Sequence, residues 1–288
     1  MSTLKKTDWL YEIKPKGKFI DLNFKEIWSY RDLMILFVKR DIVTVYKQTI
    51  LGPFWFVIQP LFTSVIFTLI FNNVAGIKTG DGIPPFLFNL AGITIWNYFK
   101  ECLSGTSNTF RGNAGLFSKV YFPRVIMPLS SIISKLFKFA IQMGIFIVFY
   151  IYYKSAGWAF SLQKELFLFP VLVVTVAFYG IGLGMILSSM TTKYRDMTVL
   201  IGFGMQLLMY ISAVMYPVSV VQERMPEYAW VVLYNPLSHV IEAFRYIMLG
   251  EGMFSYQGVF IAFTSSMVVA LFGLIVFNKT ERSFIDTI

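Results

Sequence analysis

Residues 54–74 read FWFVIQPLFTSVIFTLIFNNV, a run without one charged side chain. As an α-helix this run is about 32 Å long, enough to cross the hydrocarbon core of a bilayer, which is about 30 Å thick. The whole chain has the same character, since 56% of its 288 residues are hydrophobic and 14% are charged. Soluble domains carry about 25% charged residues. The composition therefore excludes a soluble globule and a disordered chain, and predicts an all-α integral membrane protein.

Five further apolar runs follow, so the sequence predicts a polytopic protein with six transmembrane helices. Gly180, Gly182 and Gly184 in the fourth run would let neighbouring helices approach closely. Residues 218–256 are apolar but broken by proline, glycine and charged residues. We therefore expect a re-entrant hairpin there, which dips into one leaflet before the last span. The predicted spans are 54–74, 86–103, 128–153, 166–190, 199–216 and 259–277.

The charged residues divide the chain into three regions. Residues 1–53 hold 10 of the 25 Lys and Arg residues and form an N-terminal arm, residues 54–277 form the membrane domain, and residues 278–288 form a short tail. With both termini in the cytoplasm, 18 of the 25 basic residues lie in cytoplasmic segments and 5 lie outside. Because cytoplasmic loops are enriched in Lys and Arg, this asymmetry predicts a multi-pass protein with both termini inside.

Residues 24–47 have the pattern of an amphipathic helix. Ile27, Met34 and Val38 recur on one side at helical spacing, while Lys25 and Lys39 lie opposite. Such a helix either lies in the membrane interface or packs against a soluble partner, and the two are compatible. Ser29 followed by Asp32 suggests a capped restart within the helix.

Several kinds of chemistry are not supplied by this chain. It contains no G-x-x-x-x-G-K-[ST] phosphate loop, one cysteine (Cys102) and one histidine (His239). Neither a cysteine–histidine metal site nor an intrachain disulfide can form. Carboxylates deep inside the spans, which ion-coupled transporters usually need, are essentially absent. We expect no catalytic residue and no bound metal or cofactor, and we attribute the basic excess to cytoplasmic loops, with no nucleic acid bound.

Three segments of the sequence carry a family signal. The first runs from Lys39-Arg40-Asp41 through Tyr46-Lys47-Gln48-Thr49-Ile50-Leu51-Gly52-Pro53 to Ile58-Gln59-Pro60-Leu61. The second is Lys119-Val120-Tyr121-Phe122-Pro123-Arg124, and the third is Asn235-Pro236-Leu237-Ser238-His239 with Glu242-Ala243-Phe244-Arg245. Together they resemble the membrane subunit of type-2 ABC exporters of polysaccharides, the family of O-antigen, capsule and teichoic acid export permeases.

The resemblance implies a function and an assembly. The chain would be a homodimeric channel-forming permease in the bacterial inner membrane. Each copy would bind a separate ATPase subunit that holds ATP and Mg, and the transported substrate would be a lipid-linked glycan. Export of a small amphiphile or drug by the same fold, or a scaffold or channel that uses no ATP, are the alternatives.

Candidate ATPase contacts lie in two cytoplasmic segments. The loop before the third span is basic around short apolar stretches, and by resemblance it would contain a coupling helix; an ordinary solvated basic loop is the alternative. The amphipathic arm resembles an interfacial gate helix. The candidates are Arg31, Asp32, Lys39, Arg40, Asp41, Arg111, Lys119 and Arg124.

Candidate substrate-path residues lie in and near the spans. Lys135 and Lys138 share a helix face, where they either attract the phosphate of a lipid-pyrophosphate-linked substrate or snorkel to the headgroups. An outer aromatic ring, which would stack on sugar rings, is expected from Tyr210, Tyr216 and Tyr234.

A polar cluster is expected in the predicted hairpin. Glu242 and Arg245 are one helical turn apart and can pair, and His239 is on the same element. We expect this cluster to satisfy buried polar groups and hold the hairpin, in preference to direct contact with substrate.

Overall fold

A computed structural model describes residues 24–47, 52, 54–80, 82–117, 119–120, 122–194 and 196–285. These residues form α-helices joined by turns and short 3-10 or π-helical segments, with no strand among them. The thirteen α-helices of the described chain are α1 Phe24–Ser29, α2 Arg31–Lys47, α3 Phe54–Phe67, α4 Pro85–Ser107, α5 Thr109–Gly112, α6 Ala114–Phe117, α7 Ile126–Ser155, α8 Phe169–Lys193, α9 Met197–Ile211, α10 Val218–Arg224, α11 Ala229–Leu233, α12 Pro236–Leu249 and α13 Tyr256–Ile285.

Four helical segments in the described part of the chain are long and apolar enough to cross a membrane. They are Phe54–Val74, in which a π-helical stretch continues α3, together with Ile126–Ser155, Lys164–Lys193 and Tyr256–Glu281. The 23 residues of α4 are helical as predicted, but they carry more polar side chains. The fifth predicted span ends early, at Ile211, because residues 212–216 turn through Ala213, whose φ is +52°. At 15 residues, α9 is about 22 Å long.

Close packing of glycines places α8 at the centre of the bundle. A Cβ on Gly182 would lie 2.7 Å from the backbone of α13 at Val269 and Ala270. A Cβ on Gly184 would lie 2.5 Å from Thr106 of α4. Gly180 touches Cys102 of α4 in the same way. The predicted close approach is therefore confirmed, and it uses two faces of α8 at once.

The amphipathic arm is helical from residue 24 to residue 47 with one break at Tyr30. The restart suggested at Ser29 is present, but the proposed cap is wrong, because the Ser29 hydroxyl donates to the Glu26 carbonyl of the preceding turn at 2.6 Å. The apolar positions Ile27, Met34 and Val38 are half-buried, whereas Lys25 and Lys39 are exposed.

Some predicted regions extend past the described residues. Residues 1–23 of the arm, the Gln48–Leu51 part of the first motif and residues 286–288 of the tail lie outside them. At the other end of the chain, α13 continues to Ile285, so most of the predicted tail is helical.

The predicted hairpin region consists of α10, a 3-10 turn, α11 and α12. The last of these, α12, has a complete set of end signals. The Asn235 side chain accepts a hydrogen bond from the Leu237 N–H at 3.0 Å, Pro236 begins the helix, and Gly250 ends it in the left-handed conformation. Most of its side chains are buried against α4, α8 and α13. A helix this deeply packed fixes whatever polar groups it carries.

Candidate functional site

An aromatic cluster joins the amphipathic arm to the loop before α7. The Phe37 ring of α2 lies 5.6 Å from Phe122, which lies 5.7 Å from Phe117. Phe110 stacks on Phe277 of α13 at 4.5 Å. The two segments in which the sequence placed its ATPase-contact candidates therefore meet at one end of the bundle.

Basic side chains remain exposed around this cluster. Arg31 and Lys39 are exposed on α2, and Arg111 and Lys119 are exposed on the loop. We call these four residues the basic face. Asp32 and Asp41 each lie beside an arginine of the same helix, with N–O distances of 3.8 Å to Arg31 and 2.8 Å to Arg40. Arg40 is not part of the basic face, so Asp32 offsets one of the four positive charges of the face, which remains net positive.

Arg124 lies beneath this end of the molecule rather than on its surface. Its guanidinium lies 5.0 Å from the Phe117 ring centroid and donates to the Glu281 carbonyl at 3.3 Å. Its Nε also lies 3.9 Å from the Glu281 carboxylate. Burial lowers the pKa of Arg124 from its ordinary value, and the Glu281 carboxylate opposes that shift. Arg124 thus links the loop to the end of α13.

Lys135 and Lys138 share one carboxylate, which comes from Glu101 of α4. The Nζ–O distances are 3.4 Å for Lys135 and 2.6 Å for Lys138. Lys138 also lies 4.7 Å from the centroid of the Phe56 ring. These groups line a cavity of about 140 Å³ between α2, α3, α4 and α7, which we call the lysine cavity; its lining residues are Asp41, Ile42, Phe56, Glu101, Ser134, Lys135, Phe137 and Lys138.

Sequence reasoning missed Glu101 as a site residue. A usable signal existed, because two lysines inside a span need a counter-charge. Asp41 was predicted as an ATPase contact, and the structure places it in the wall of the lysine cavity.

Arg245 and Glu242 form a buried ion pair at the opposite end, 2.8 Å apart. The Arg245 guanidinium also donates to the carbonyls of Ala213 at 2.8 Å and Val214 at 2.6 Å. Its face covers the Phe88 ring at 3.7 Å. Glu242 accepts a further hydrogen bond from the Met253 N–H at 3.0 Å. These contacts connect α12 to the chain reversal after α9 and to the loop before α13.

Of the remaining predicted residues, Tyr216 joins this pair through its backbone, because its carbonyl accepts a hydrogen bond from the Arg245 guanidinium at 3.4 Å. His239 packs against Gly258 of α13, where a Cβ would lie 2.9 Å from the His239 Nδ1 atom. The Tyr216 hydroxyl donates to the Tyr210 carbonyl, and Tyr234 is 83% exposed. The three tyrosines therefore lie near one end, with two of them directly connected.

A larger groove, of about 450 Å³, runs between α4 and α9. Trp96 and Met205 supply apolar surface, and Lys100, Ser104 and Gln206 supply polar groups. Sequence reasoning did not select these residues, because nothing in a single sequence shows that α4 and α9 face each other.

Comparison with known proteins identifies the family of the chain. The profile of the family described as "ABC-2 type transporter" matches residues 32–249, about three quarters of the chain. The chain belongs to the ABC-2 type transporter family. The family match covers α2, apart from its first residue Arg31, through α12, and it therefore includes the other three residues of the basic face, the lysine cavity and the Glu242–Arg245 pair.

Relatives of this ABC-2 transporter chain carry more specific names. An O-antigen export system permease protein RfbA of Klebsiella pneumoniae is 24% identical over 88% of this chain and 94% of its own length. The Myxococcus xanthus protein of the same name is 23% identical over 92% of this chain and 98% of its own length. The capsule polysaccharide export inner-membrane protein CtrC of Neisseria meningitidis serogroup B is 21% identical over 84% of this chain and 89% of its own length.

Proposed function

We propose that this ABC-2 permease exports a lipid-linked polysaccharide of the O-antigen type across the bacterial inner membrane. ATP hydrolysis in a separate subunit would drive the export, and the chain itself would catalyse no reaction. The observation that carries the proposal is the near full-length match to permeases named for O-antigen and capsule export, from three different bacteria. The length of the match matters, because a shared fold alone does not indicate which substrate is transported.

Docking of the ATPase is assigned to the basic face. Its four cations surround an aromatic cluster that ties α2 and the loop to α7 and α13. Movement of an ATPase bound at this end would therefore be transmitted directly to the long helices. The chain lacks a phosphate loop of its own, so we infer two ATPase subunits, each with ATP and Mg, on a homodimer of this permease.

The finer topology belongs to the same proposal. In it, α4 and α9 join the four long apolar helices to make six spans, and both termini are cytoplasmic. The arm formed by α1 and α2 lies in the cytoplasmic interface, and α10 to α12 form a re-entrant hairpin near the outer surface. This arrangement puts the basic face inside, in agreement with the distribution of Lys and Arg.

The groove between α4 and α9 offers both kinds of surface that a glycan needs. Its lining mixes an indole, a lysine, hydroxyls and an amide. Sugars need such a surface, because their ring faces stack on aromatic groups while their hydroxyls form hydrogen bonds.

Deletion of the gene tests the substrate. We expect surface glycan to be lost and lipid-linked glycan to accumulate inside the cell, and a plasmid copy to restore export. Normal surface glycan in a deletion strain that has no second exporter would refute the proposal.

Charge reversal on the basic face tests the driving subunit. Arg111→Glu with Lys119→Glu should reduce co-purification of the ATPase by at least about tenfold, since several cations act together at such a surface. Lys78→Glu is the matched control, because Lys78 is also an exposed lysine but lies in the loop before α4. An unchanged ATPase yield with the double variant would remove the docking assignment.

A further inference from the structure

The lysine cavity carries an unbalanced positive charge. Glu101 neutralises one of the two lysines, and Asp41 is already paired with Arg40 at 2.8 Å. One positive charge is therefore left among groups that are largely shielded, with side-chain exposures of 27% for Lys135 and 16% for Lys138. A second anion in the cavity would neutralise this remaining positive charge.

The position of the cavity matches the depth of lipid headgroups. Phe56 is in the first turn of α3, and Asp41 and Ile42 come from α2, which packs beside the start of α7. The 30 residues of α7 span about 45 Å, which exceeds the hydrocarbon core of about 30 Å. Lys135 and Lys138 lie about 14–18 Å from the start of α7, so with this excess length on the cytoplasmic side they lie at the edge of the core, and their long stems carry the ammonium groups to the lipid phosphates.

The surroundings of the cavity favour an amphiphile over a free ion. Phe137 lines the cavity and is 43% exposed, next to the equally exposed Leu136 and Ile133 on the outer side of α7. An anion bound by the lysines would thus have apolar surface directly beside it. That combination suits a phosphate group attached to a hydrocarbon chain.

We propose that the lysine cavity binds the phosphate group of a membrane lipid, with Lys135 and Lys138 as the donors and Glu101 as a competing carboxylate that the phosphate displaces. If the proposed function holds, the lipid is the polyprenyl pyrophosphate carrier of the glycan. Lysine ammonium groups bind phosphate as point charges. The Lys–Glu bridges then hold the cavity in its empty state.

Binding to the full-length chain in phosphatidylcholine nanodiscs tests this site by native mass spectrometry. The probes are a polyprenyl pyrophosphate, the same polyprenol without phosphate, phosphatidylglycerol and inorganic pyrophosphate. Lys135→Gln and Lys138→Gln should each weaken binding of the polyprenyl pyrophosphate by about tenfold or more, as expected for a lost charge-assisted hydrogen bond. Lys193→Gln is the control, since Lys193 is an exposed lysine at the end of α8 that lines neither the lysine cavity nor the α4–α9 groove.

Glu101→Gln separates a binding site from a merely structural bridge. If Glu101 competes with phosphate, this variant binds the polyprenyl pyrophosphate several-fold more tightly; weaker or unchanged binding would overturn the proposal. Lys138→Arg keeps the charge and should keep binding, which guards against loss of folding as the explanation.

The probes distinguish the source of the phosphate. If the unphosphorylated polyprenol binds as tightly as the polyprenyl pyrophosphate, the lysine cavity is not a phosphate site. If phosphatidylglycerol binds as tightly and its binding depends on the lysines, the ligand of the cavity is a resident phospholipid. If inorganic pyrophosphate is the only probe that binds, and its binding depends on the lysines, the cavity is a site for a soluble phosphate and the proposal of a lipid ligand is refuted. Surface glycan in the deletion strain is scored separately, so the export function and this site can fail independently.

Discussion

The buried Glu242–Arg245 pair shows how one charged residue can hold two elements together. Arg245 is fully buried and donates to Glu242 and to three carbonyls of the turn that follows α9, those of Ala213, Val214 and Tyr216. Removal of one partner from such a pair leaves an uncompensated buried charge, which costs about 3–5 kcal/mol. Glu242→Ala should therefore lower the thermal unfolding midpoint of the purified permease strongly.

The control for this variant is Glu223→Ala, which removes an exposed carboxylate of the neighbouring helix α10. We expect it to leave the midpoint nearly unchanged, because surface substitutions usually alter stability by less than about 0.5 kcal/mol. Similar midpoints for both variants, measured in the same detergent, would show that the pair does not hold α12.

At this scale the sequence predicted contacts within one helix better than contacts between helices. Glu242 and Arg245 are one turn apart, and spacing alone indicates that they can pair. The partners of Lys135 and Lys138 come instead from a helix more than thirty positions earlier, and spacing gives no access to them. The burial of Arg124, a predicted ATPase contact, was not visible for the same reason, since the Phe117 ring and Glu281 that lie against it come from other elements.

Among the elements, α8 depends on glycine most directly. A side chain at Gly182 would enter the backbone of α13 at 2.7 Å, and backbone cannot move as a flexible side chain does. Gly182→Ala should destabilise the protein by about 1–3 kcal/mol through overpacking. Gly202→Ala in α9 is the matched control, because nothing lies within 4 Å of its Cβ position.

The two alanine variants should change stability in opposite directions. Alanine favours a helix interior over glycine by up to about 1 kcal/mol, so Gly202→Ala is expected to be neutral or stabilising. Thermal unfolding of both variants in one detergent gives the comparison. A Gly182→Ala protein at least as stable as the parent would mean that α8 and α13 are not packed this closely.

The attachment of α2 depends on one apolar side chain. Phe37 is 5% exposed in the aromatic cluster, while its neighbour Leu36 is 59% exposed. Phe37→Ala should release α2 from α7, at a cost of about 3–5 kcal/mol to its packing, and should make Lys39 and Arg40 more susceptible to limited trypsin cleavage. Leu36→Ala should leave the cleavage rate unchanged, and equal rates for both variants would contradict the packing.

The sequence predicted the long elements well, because apolar runs dominate their composition. The helix predicted at 128–153 is Ile126–Ser155, and that predicted at 54–74 has the same bounds. The exception is the end of the fifth run. Residues 212–216 are apolar enough to continue α9, yet the chain turns there and presents the Ala213 and Val214 carbonyls to Arg245. The hydrophobic periodicity of the sequence does not reveal a contact with a residue about thirty positions away, so this turn could not be predicted.

The topology of the whole molecule is set by the helices that cross the membrane. The four long apolar helices are long and apolar enough to cross, so the six-span proposal depends on α4 and α9. Each has an exposed residue near either end that can be replaced by cysteine. Lys78 and Lys119 flank α4, and Lys193 and Tyr234 flank α9. The native Cys102 is fully buried, so the parent chain supplies a low background.

Labelling with a membrane-impermeant maleimide then decides the topology. In spheroplasts, Lys78→Cys and Tyr234→Cys should react, because the proposal places both outside. In inverted membrane vesicles, Lys119→Cys and Lys193→Cys should react instead. Reaction of both residues of a pair from one side would show that the helix between them does not cross. A complete reversal of the pattern would keep the spans but put the basic face outside, where a cytoplasmic ATPase could not reach it.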